Sequence, residues 1–517
     1  MNYSRSVKLF CPFVSPPGYI LNHSRLHGKS KGDCCAGLWI NPALRFRIIP
    51  GGRNERVEPG EKGRRKTRRS VLAAAAAFSF LASFDTSAVS IALPRIASSF
   101  GVSGESAAWI AGVFLITLSV LTLPLGRLGD ILGQKKVFRL GLLIFSVGSF
   151  LCSLAESLPA LALARVVQAA GEAAGLANSQ GIVTREFPPE ESGEALGRLG
   201  TFSAVGSLAG PALGGMLLTF ANWKWVFWAD LIPGAAVYFI CFRTLHGKVP
   251  VRGGKLDFPG TAGFALWAGP LLFALEYGPA AGFKSPVVLS CFGVSCIAGI
   301  LFVTREKKAA QPLLNLAVFR NRKLSLSVFC AFTSFASLAC SSLVLPFYLQ
   351  NGFAMSPGEA GAYLSVNPLV LAVSASAGGR ISDRFGPEPV TLVGLLLTGT
   401  GLFLMSSFRE ASPLWLLVLF LSVMALGNGL FQPPNNALVM SLVTPEKYGL
   451  GGSVNALSRN FGMAAGTALA TLFFRSGAGP AGSGLYSGVR TVYLSAGAVC
   501  LAGAAAALIR FLWHRKT

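Results

Sequence analysis

The sequence predicts an all-α membrane protein of fourteen spanning helices, built as two six-helix halves with two helices inserted between them. Three observations carry that expectation: an apolar composition, fourteen apolar runs of bilayer length, and one motif that recurs at the matching place in both halves. Hydrophobic residues fill 52% of the 517 positions and charged residues only 13%, about half the charged share of an ordinary soluble protein. A chain this apolar needs lipid as part of its solvent. Its 60 glycines and 29 prolines argue for helices rather than a barrel, because membrane helices accept both residues where neighbouring helices and waters satisfy the freed backbone groups.

Residues 1–70 contain no apolar run of about 18 residues, hence neither a spanning helix nor an orthodox secretory signal. They hold 15 of the 45 basic and 4 of the 22 acidic residues and end in Lys62-Gly63-Arg64-Arg65-Lys66-Thr67-Arg68-Arg69. This is the composition of a disordered basic tail that anchors the first helix on the cytoplasmic side. No methionine lies between Met1 and Met216, so a start at a valine or leucine codon such as Val57 is an open alternative for this tail.

From Val71 onward the apolar runs are 71–97, 106–128, 137–155, 159–184, 199–220, 226–244, 257–277, 286–304, 324–349, 358–381, 389–407, 413–438, 450–474 and 488–512, each near the length a bilayer requires. Residues 71–244 make the N-terminal half and 245–323 the two inserted helices with their linkers. Residues 324–512 make the C-terminal half, and 513–517 a short tail. An even number of spans puts both termini on one side. The loops after spans 2, 6 and 8 carry Lys135, Lys136 and Arg139, then Arg243, Lys248, Arg252 and Lys255, then Arg305, Lys307, Lys308, Arg320, Arg322 and Lys323; the opposite loops carry single charges such as Lys224, Lys284 and Arg409. The positive-inside bias therefore assigns both termini to the cytoplasm, which suits a multi-pass protein of a bacterial inner membrane.

The same distribution explains the net charge of +23 as a topology signal. No zinc, helix-turn-helix or basic-aromatic module accompanies it, so nucleic acid is not an expected partner. The ten cysteines form no CxxC pair, and Cys152, Cys241, Cys291, Cys296, Cys330, Cys340 and Cys500 sit in apolar runs as small hydrophobes. His23, His27, His246 and His514 all lie outside the runs, so no metal site, disulfide or membrane-buried histidine is expected.

Gly126-Arg127-Leu128-Gly129-Asp130-Ile131-Leu132-Gly133 after span 2 is echoed by Gly379-Arg380-Ile381-Ser382-Asp383-Arg384-Phe385-Gly386 after span 10. The two aspartates are 253 positions apart, and six spans with short loops account for about 200 of those. The excess of roughly 50 to 60 fits the two inserted helices.

Continued to Gln134-Lys135-Lys136, the first copy resembles the signature loop of the major facilitator superfamily, and residues 71–512 as a whole resemble its fourteen-span drug:proton antiporters. The resemblance implies a conformational latch at Gly126, Arg127, Asp130, Gly133, Lys135 and Lys136. Glycines there admit close helix approach and Asp130 pairs with basic residues in a charge contact that breaks and remakes. The second copy, Asp383 and Arg384, is followed by Pro387-Glu388-Pro389 where basic residues are expected, which predicts a weaker second latch.

Ala164-Arg165-Val166-Val167-Gln168-Ala169-Ala170-Gly171-Glu172 resembles the proton-coupling motif of helix 4 in that family. Arg165, Gln168 and Glu172 share one helical face, and an intramembrane Arg and Glu are costly unless they face each other or a cavity; a purely structural ion pair is the alternative. Gly200, Gly206, Gly210, Pro211, Gly214 and Gly215 resemble the glycine-rich motif that marks exporters, with Pro211 expected to bend span 5. Leu81-Ala82-Ser83-Phe84-Asp85-Thr86-Ser87-Ala88-Val89-Ser90 resembles the first-helix motif of drug exporters, although Ser90 stands where Asn is usual. Asp85 falls near mid-bilayer, where a carboxylate is functional by default. Asp230 replaces a usual Asn near the outer interface and is either a titrating group or a packing cap. Asn455, Arg459 and Asn460 in span 13 stand where the family has polar residues facing the opposite half.

The resemblance implies a secondary active transporter, a proton-coupled exporter of small amphipathic or drug-like molecules that works by alternating access. Its partners are the substrate, protons and the lipid bilayer. It needs no cofactor beyond the proton gradient and is expected to be a monomer. In that scheme Glu172 carries the proton beside Arg165, while Asp85 binds the cationic part of a substrate or shares the proton. An uptake carrier for a small metabolite is the alternative on the same fold. A membrane sensor or channel is the alternative of a different class, and no HExxH, GxSxG, Walker or kinase signature supports an enzyme. For the topology, a phosphatase reporter that works only in the periplasm, fused after residue 517, is expected to be inactive, and a fluorescent reporter that matures only in the cytoplasm to be bright.

Overall fold

The computed structural model describes residues 61–514 except 103, 245–255, 310, 315, 356, 410 and 478–483. The basic tail expected over residues 1–70 lies outside it up to residue 60. Every described element is a helix, as it must be where no water is present to satisfy exposed backbone groups.

The N-terminal half is α1 (Glu61–Phe100), α2 (Gly104–Leu132), α3 (Gln134–Leu154), α4 (Leu158–Glu186), α5 (Pro189–Ala209) and α6 (Lys224–Thr244); α5 runs on through a π turn, Gly210–Gly214, into a short helix, Gly215–Phe220. The inserted pair is α7 (Phe258–Ala281) and α8 (Pro286–Glu306). The C-terminal half is α9 (Arg322–Phe347), α10 in two pieces (Pro357–Leu364 and Val366–Phe385), α11 (Pro387–Ser406), α12 (Leu414–Ser441), α13 (Tyr448–Gly477) and α14 (Leu485–His514). Among the described residues, 13 helices are long and apolar enough to cross a membrane by length and composition. The helix outside that set is α13, because Ser453, Asn455, Ser458, Arg459 and Asn460 lie along its first half.

The two halves repeat one packing plan. α3 lies along α4 as α11 lies along α12, α1 packs on α5 as α9 packs on α13, and α3 meets α6 as α11 meets α14. The plan is written in glycines at matching places. A Cβ on Gly141 would come within 2.8 Å of the Gly171 carbonyl oxygen, and one on Gly394 within 2.8 Å of the Gly427 carbonyl oxygen; α3–α4 and α11–α12 thus touch backbone to backbone. The sharp connections out of α2 and α10 are matched too. Gly133 (φ +98°) and Gly386 (φ +86°) adopt a conformation that only glycine takes without strain. Gly133, expected as part of the latch, is this turn.

The halves meet along two seams, α2 with α13 and α5 with α10. The inserted hairpin covers one of them, since α7 packs on both α2 and α13. Its own start is secured by Asp257, which accepts from the Gly260 N–H at 3.0 Å and from Arg305 of α8 at 2.9 Å. The faces that touch neither seam nor neighbour present large apolar side chains such as Leu163, Phe220, Phe258 and Val373 outward, as a lipid-facing surface requires.

The glycine contacts make a stability prediction. Gly171→Leu places side-chain atoms where the Phe145 backbone stands and should lower the melting temperature of the detergent-purified protein by about 2 to 10 °C, from an overpacking cost of about 1–3 kcal/mol. Gly215→Ala, whose Cβ would meet nothing within 4 Å, should leave it unchanged.

Candidate functional site

Arg165 is fully buried inside the N-terminal half, and an uncompensated cation there would be untenable. Its compensation comes from α1. One guanidinium nitrogen, Nη1, donates to both carboxylate oxygens of Asp85 at 2.8 Å and to Gln168 Oε1 at 2.7 Å. Gln168 returns a bond to Asp85 Oδ1 at 3.0 Å and reaches Ser149 of α3 at 2.9 Å. The α3 backbone comes this close because residue 148 is glycine, whose Cβ would sit 2.5 Å from the Gln168 nitrogen. The Arg165 guanidinium also lies 3.7 Å from the centre of the Phe114 ring of α2, a cation–π contact that counts for more where water is excluded.

Asp230 of α6 completes this cluster. It is fully buried, with its carboxyl within hydrogen-bond reach of that of Asp85. Neither oxygen accepts a bond from a nitrogen or hydroxyl among the described residues. Two carboxyl groups hydrogen-bond to each other only through a proton.

Arg165 and Glu172 share a face of α4, but the hydrogen bonds of the guanidinium go to Asp85 and Gln168, and Glu172 Oε2 is buried without a hydrogen-bond partner. Two guanidinium groups act on Glu172 electrostatically, Arg165 of its own helix first and Arg459 of α13 in the other half second. Toward the end of the bundle where α1 begins, Asn455 of α13 donates to Gln180 of α4 at 3.1 Å and to Asn436 of α12 at 2.6 Å. Gln180 and Asn436 were not singled out from sequence, where an isolated amide in an apolar run carries no signal of what it faces.

The latch residues are distributed differently from expectation. Asp130 takes its main partners from backbone, accepting from the Gly449 and Leu450 N–H groups at the start of α13 at 2.7 and 2.9 Å. Asp383, expected to form the weaker latch, makes the mirror-related contact, accepting from Gly193 and Glu194 N–H in α5 at 2.9 and 2.8 Å. This contact is made without the missing basic residues, because the carboxylate is held by backbone donors near a helix N-terminus, where negative charge is favoured. Lys135 instead pairs with Glu186 at the end of α4 at 2.5 Å, Lys136 is exposed, and Arg127 acts on Asp130 only electrostatically. Arg384 lies over the Phe385 ring at 5.4 Å. Gly126 belongs to the clasp, since its Cβ would lie 2.5 Å from the Gly449 carbonyl oxygen.

Sequence reasoning missed the receiving side of these clasps, although a signal exists. Pro189-Glu190-Glu191-Ser192-Gly193 recurs as Pro445-Glu446-Lys447-Tyr448-Gly449, 256 positions later. Each glycine omits the Cβ that would collide with the incoming aspartate; at Gly449 it would stand 2.7 Å from Asp130 Oδ1.

The glycines of α5 serve two neighbours. Gly206, Gly210 and Gly214 face α1, where added Cβ atoms would meet Phe80, Ser87 and Ala88, whereas Gly200 faces Ala375 of α10. Gly215 has nothing within 4 Å of its would-be Cβ. Pro211 sits inside the π turn, which absorbs the amide that proline lacks.

The sequence profile of the Major Facilitator Superfamily matches residues 75–328 and 324–517. A riboflavin transporter of Clostridioides difficile, RibZ, is 32% identical over 396 residues, 76% of this chain and 86% of that protein. Multidrug resistance protein 3 of Bacillus subtilis is 26% identical over 391 residues, 75% of this chain and 76% of that one. In fold, the human organic anion transporter MFSD10 superposes with a TM-score of 0.60 at 18% identity, covering 87% of this chain and all of that one.

The clasps make a transport prediction. Asp130→Asn and Asp383→Asn should each reach the membrane at normal levels yet slow turnover about 5- to 150-fold, the consequence of losing about 1–3 kcal/mol from one conformational state. A radiolabelled-substrate or dye-efflux assay at matched expression checks it, and wild-type rates in both variants would remove the assignment.

Proposed function

This chain belongs to the major facilitator superfamily, and on that premise we propose that it is a monomeric, proton-coupled exporter of small amphipathic or drug-like molecules in the inner membrane of a bacterium. Members of that superfamily are transporters, not enzymes. The multidrug relative, the α5 glycine motif and the absence of an ATP-site signature in the sequence support export driven by the proton gradient rather than by a nucleotide.

One observation carries the reading: Asp230 against Asp85, with Arg165 as their shared counter-charge. A proton between the two carboxyls leaves one net negative charge for one guanidinium, a balanced buried set. Loss of that proton leaves two carboxylates on one cation in a low-dielectric interior, which favours rearrangement of α1 against α6. Such a site couples proton occupancy to the tilt of the N-terminal half, which is what alternating access needs.

With the termini in the cytoplasm, the twin aspartate clasps belong to the cytoplasmic end, and their closure fits a state shut on that side. Export then runs in one order. The open cytoplasmic end releases the proton and admits substrate, closure of the clasps presents the substrate and the deprotonated site to the outside, and reprotonation there accompanies substrate release.

A second reading follows from the 32% identity to a riboflavin transporter: carriage of a flavin-like metabolite on the same fold. Everted vesicles separate the two, since an exporter accumulates its substrate when the lumen is acidic and protons run outward, and an uptake carrier does not. The substrate for this assay comes from a susceptibility screen of a deletion strain, with riboflavin included. Asp85→Asn and Asp230→Asn should each cut gradient-driven accumulation at least about tenfold while keeping counterflow exchange, which moves no net protons. Uphill transport at the wild-type rate in both variants would exclude this site as the proton carrier.

A further inference from the structure

Glu172 and Arg459 act on each other electrostatically across the two halves, with no hydrogen bond or ion pair between them among the described residues. Glu172 is 2% exposed and its Oε2 has no hydrogen-bond partner. Among the described residues Arg459 enters no ion pair, and its hydrogen bond is a 3.4 Å contact from Nε to the neighbouring Asn460. The Asn460 amide nitrogen is itself buried without a partner. A buried carboxylate and a half-buried guanidinium left without a bond to each other are poorly satisfied, and although Arg165 also acts on Glu172, each keeps hydrogen-bonding capacity of opposite sign on opposite halves.

Their placement along the seam fits a binding site between the halves. α4 and α13 pack together and run antiparallel. The bond from Asn455 to Gln180 closes the seam on the clasp side. Arg459 stands one turn along α13 from Asn455, and Glu172 two turns along α4 from Gln180, both on the far side of that closure from the clasps. A molecule held there touches both halves at once, the condition for a substrate that moves when they rock. Asp85 is unavailable for the same task, since Arg165, Gln168 and Asp230 already occupy its oxygens.

We propose that this site binds amphoteric substrates, a cationic or donor group against Glu172 and a carboxylate or equivalent acceptor against Arg459. The proposal deepens the export reading, and rests on it for taking this face as the substrate path. Arg459 is the specificity-determining residue: its guanidinium forms a fork that matches a planar carboxylate, so a molecule with the cation alone loses that contact and leaves Arg459 unsatisfied. Protonating Glu172 would release the cationic end, so the arrangement agrees with proton and substrate taking turns.

The test uses two dyes that differ by one group: rhodamine 110, which carries a free carboxylate, and rhodamine 123, its methyl ester. Fluorescence anisotropy titration of the full-length protein in detergent reads binding without requiring transport. Wild type is expected to bind rhodamine 110 about tenfold or more tightly than rhodamine 123, as one charged hydrogen-bonding contact implies. Arg459→Gln should bring that ratio near one by weakening rhodamine 110 alone, Arg459→Lys should restore part of it, and Glu172→Gln should weaken both dyes. Melting temperatures of the variants verify that they are folded; should Arg459→Gln fail this check, Arg459→Lys carries the test through its reduced ratio. Equal affinity for both dyes in wild type, a ratio unchanged by substitution of Arg459, or no saturable binding of either dye would overturn the proposal. Proteoliposome efflux tells the two readings apart, because the binding pattern without gradient-driven efflux would refute coupled export and leave the substrate class standing.

Discussion

The arrangement of this molecule depends on two carboxylates reaching across a seam to the backbone of the opposite half. Asp130 on α2 clasps the start of α13, and Asp383 on α10 clasps α5. Charged acceptors on backbone N–H groups near a helix N-terminus are stronger than neutral bonds, yet each clasp is a few atoms wide and lies at one end of the bundle. Around each one the helices touch through glycine. Gly126 opposes Gly449 and Gly379 opposes Gly193, so the backbones approach closely enough for a short aspartate to span the gap. Further along the seams the contacts are a few polar bonds, Ser453 to the Thr122 carbonyl, and Thr201 to the Ala372 carbonyl and the Ser376 hydroxyl. The closed end is thus held by separable units, a suitable design for an interface that has to open.

The halves share a packing plan and differ in their buried charge. The N-terminal half holds Asp85, Asp230 and Arg165 in one set. The C-terminal half also buries an arginine, Arg510 of α14, which bonds Ser327 at 2.7 Å, Asn435 at 3.3 Å and Thr391. Those partners are neutral oxygens contributed by α9, α12 and α11, so Arg510 ties four helices of its half together, with Glu388 of α11 acting on it electrostatically. A set containing two carboxyls in contact is able to exchange a proton; a guanidinium among hydroxyl and amide oxygens is not. The same architecture therefore supplies one half suited to titrate and one suited to stay fixed.

The inserted hairpin breaks the twofold pattern in a way that helix counting does not reveal. Its aromatic side chains grip both sides of one seam: Trp267 stacks on Phe461 of α13 at 5.6 Å, and Phe273 and Tyr277 lie on Trp109 of α2 at 5.1 and 5.7 Å. The α5–α10 seam has no such cover from α7 or α8.

By itself the sequence determined the solvent, the helix count and the twofold repeat. Hydrophobic length and loop charge are local quantities, and glycine spacing records close approach wherever it occurs. It also marked Asp85, Arg165, Gln168, Glu172, Asp230, Asn455 and Arg459 as costly residues in apolar runs, since the expense of a polar group in lipid depends on the run and not on the fold. The tertiary structure decided who pairs with whom. Arg165 is three positions from Gln168 and seven from Glu172 on its own helix, yet its ion-pair partner is Asp85, 80 positions away, because α1 and α4 meet inside the half at the level of Arg165. Asp230 joined the same set because its depth along α6 is fixed by packing against α1 and α3, which no count of residues from a loop supplies. The clasps likewise needed the fold, since their receiving groups are backbone amides that every residue but proline carries. Only the docking of one half on the other selects Gly449 and Gly193 from among them.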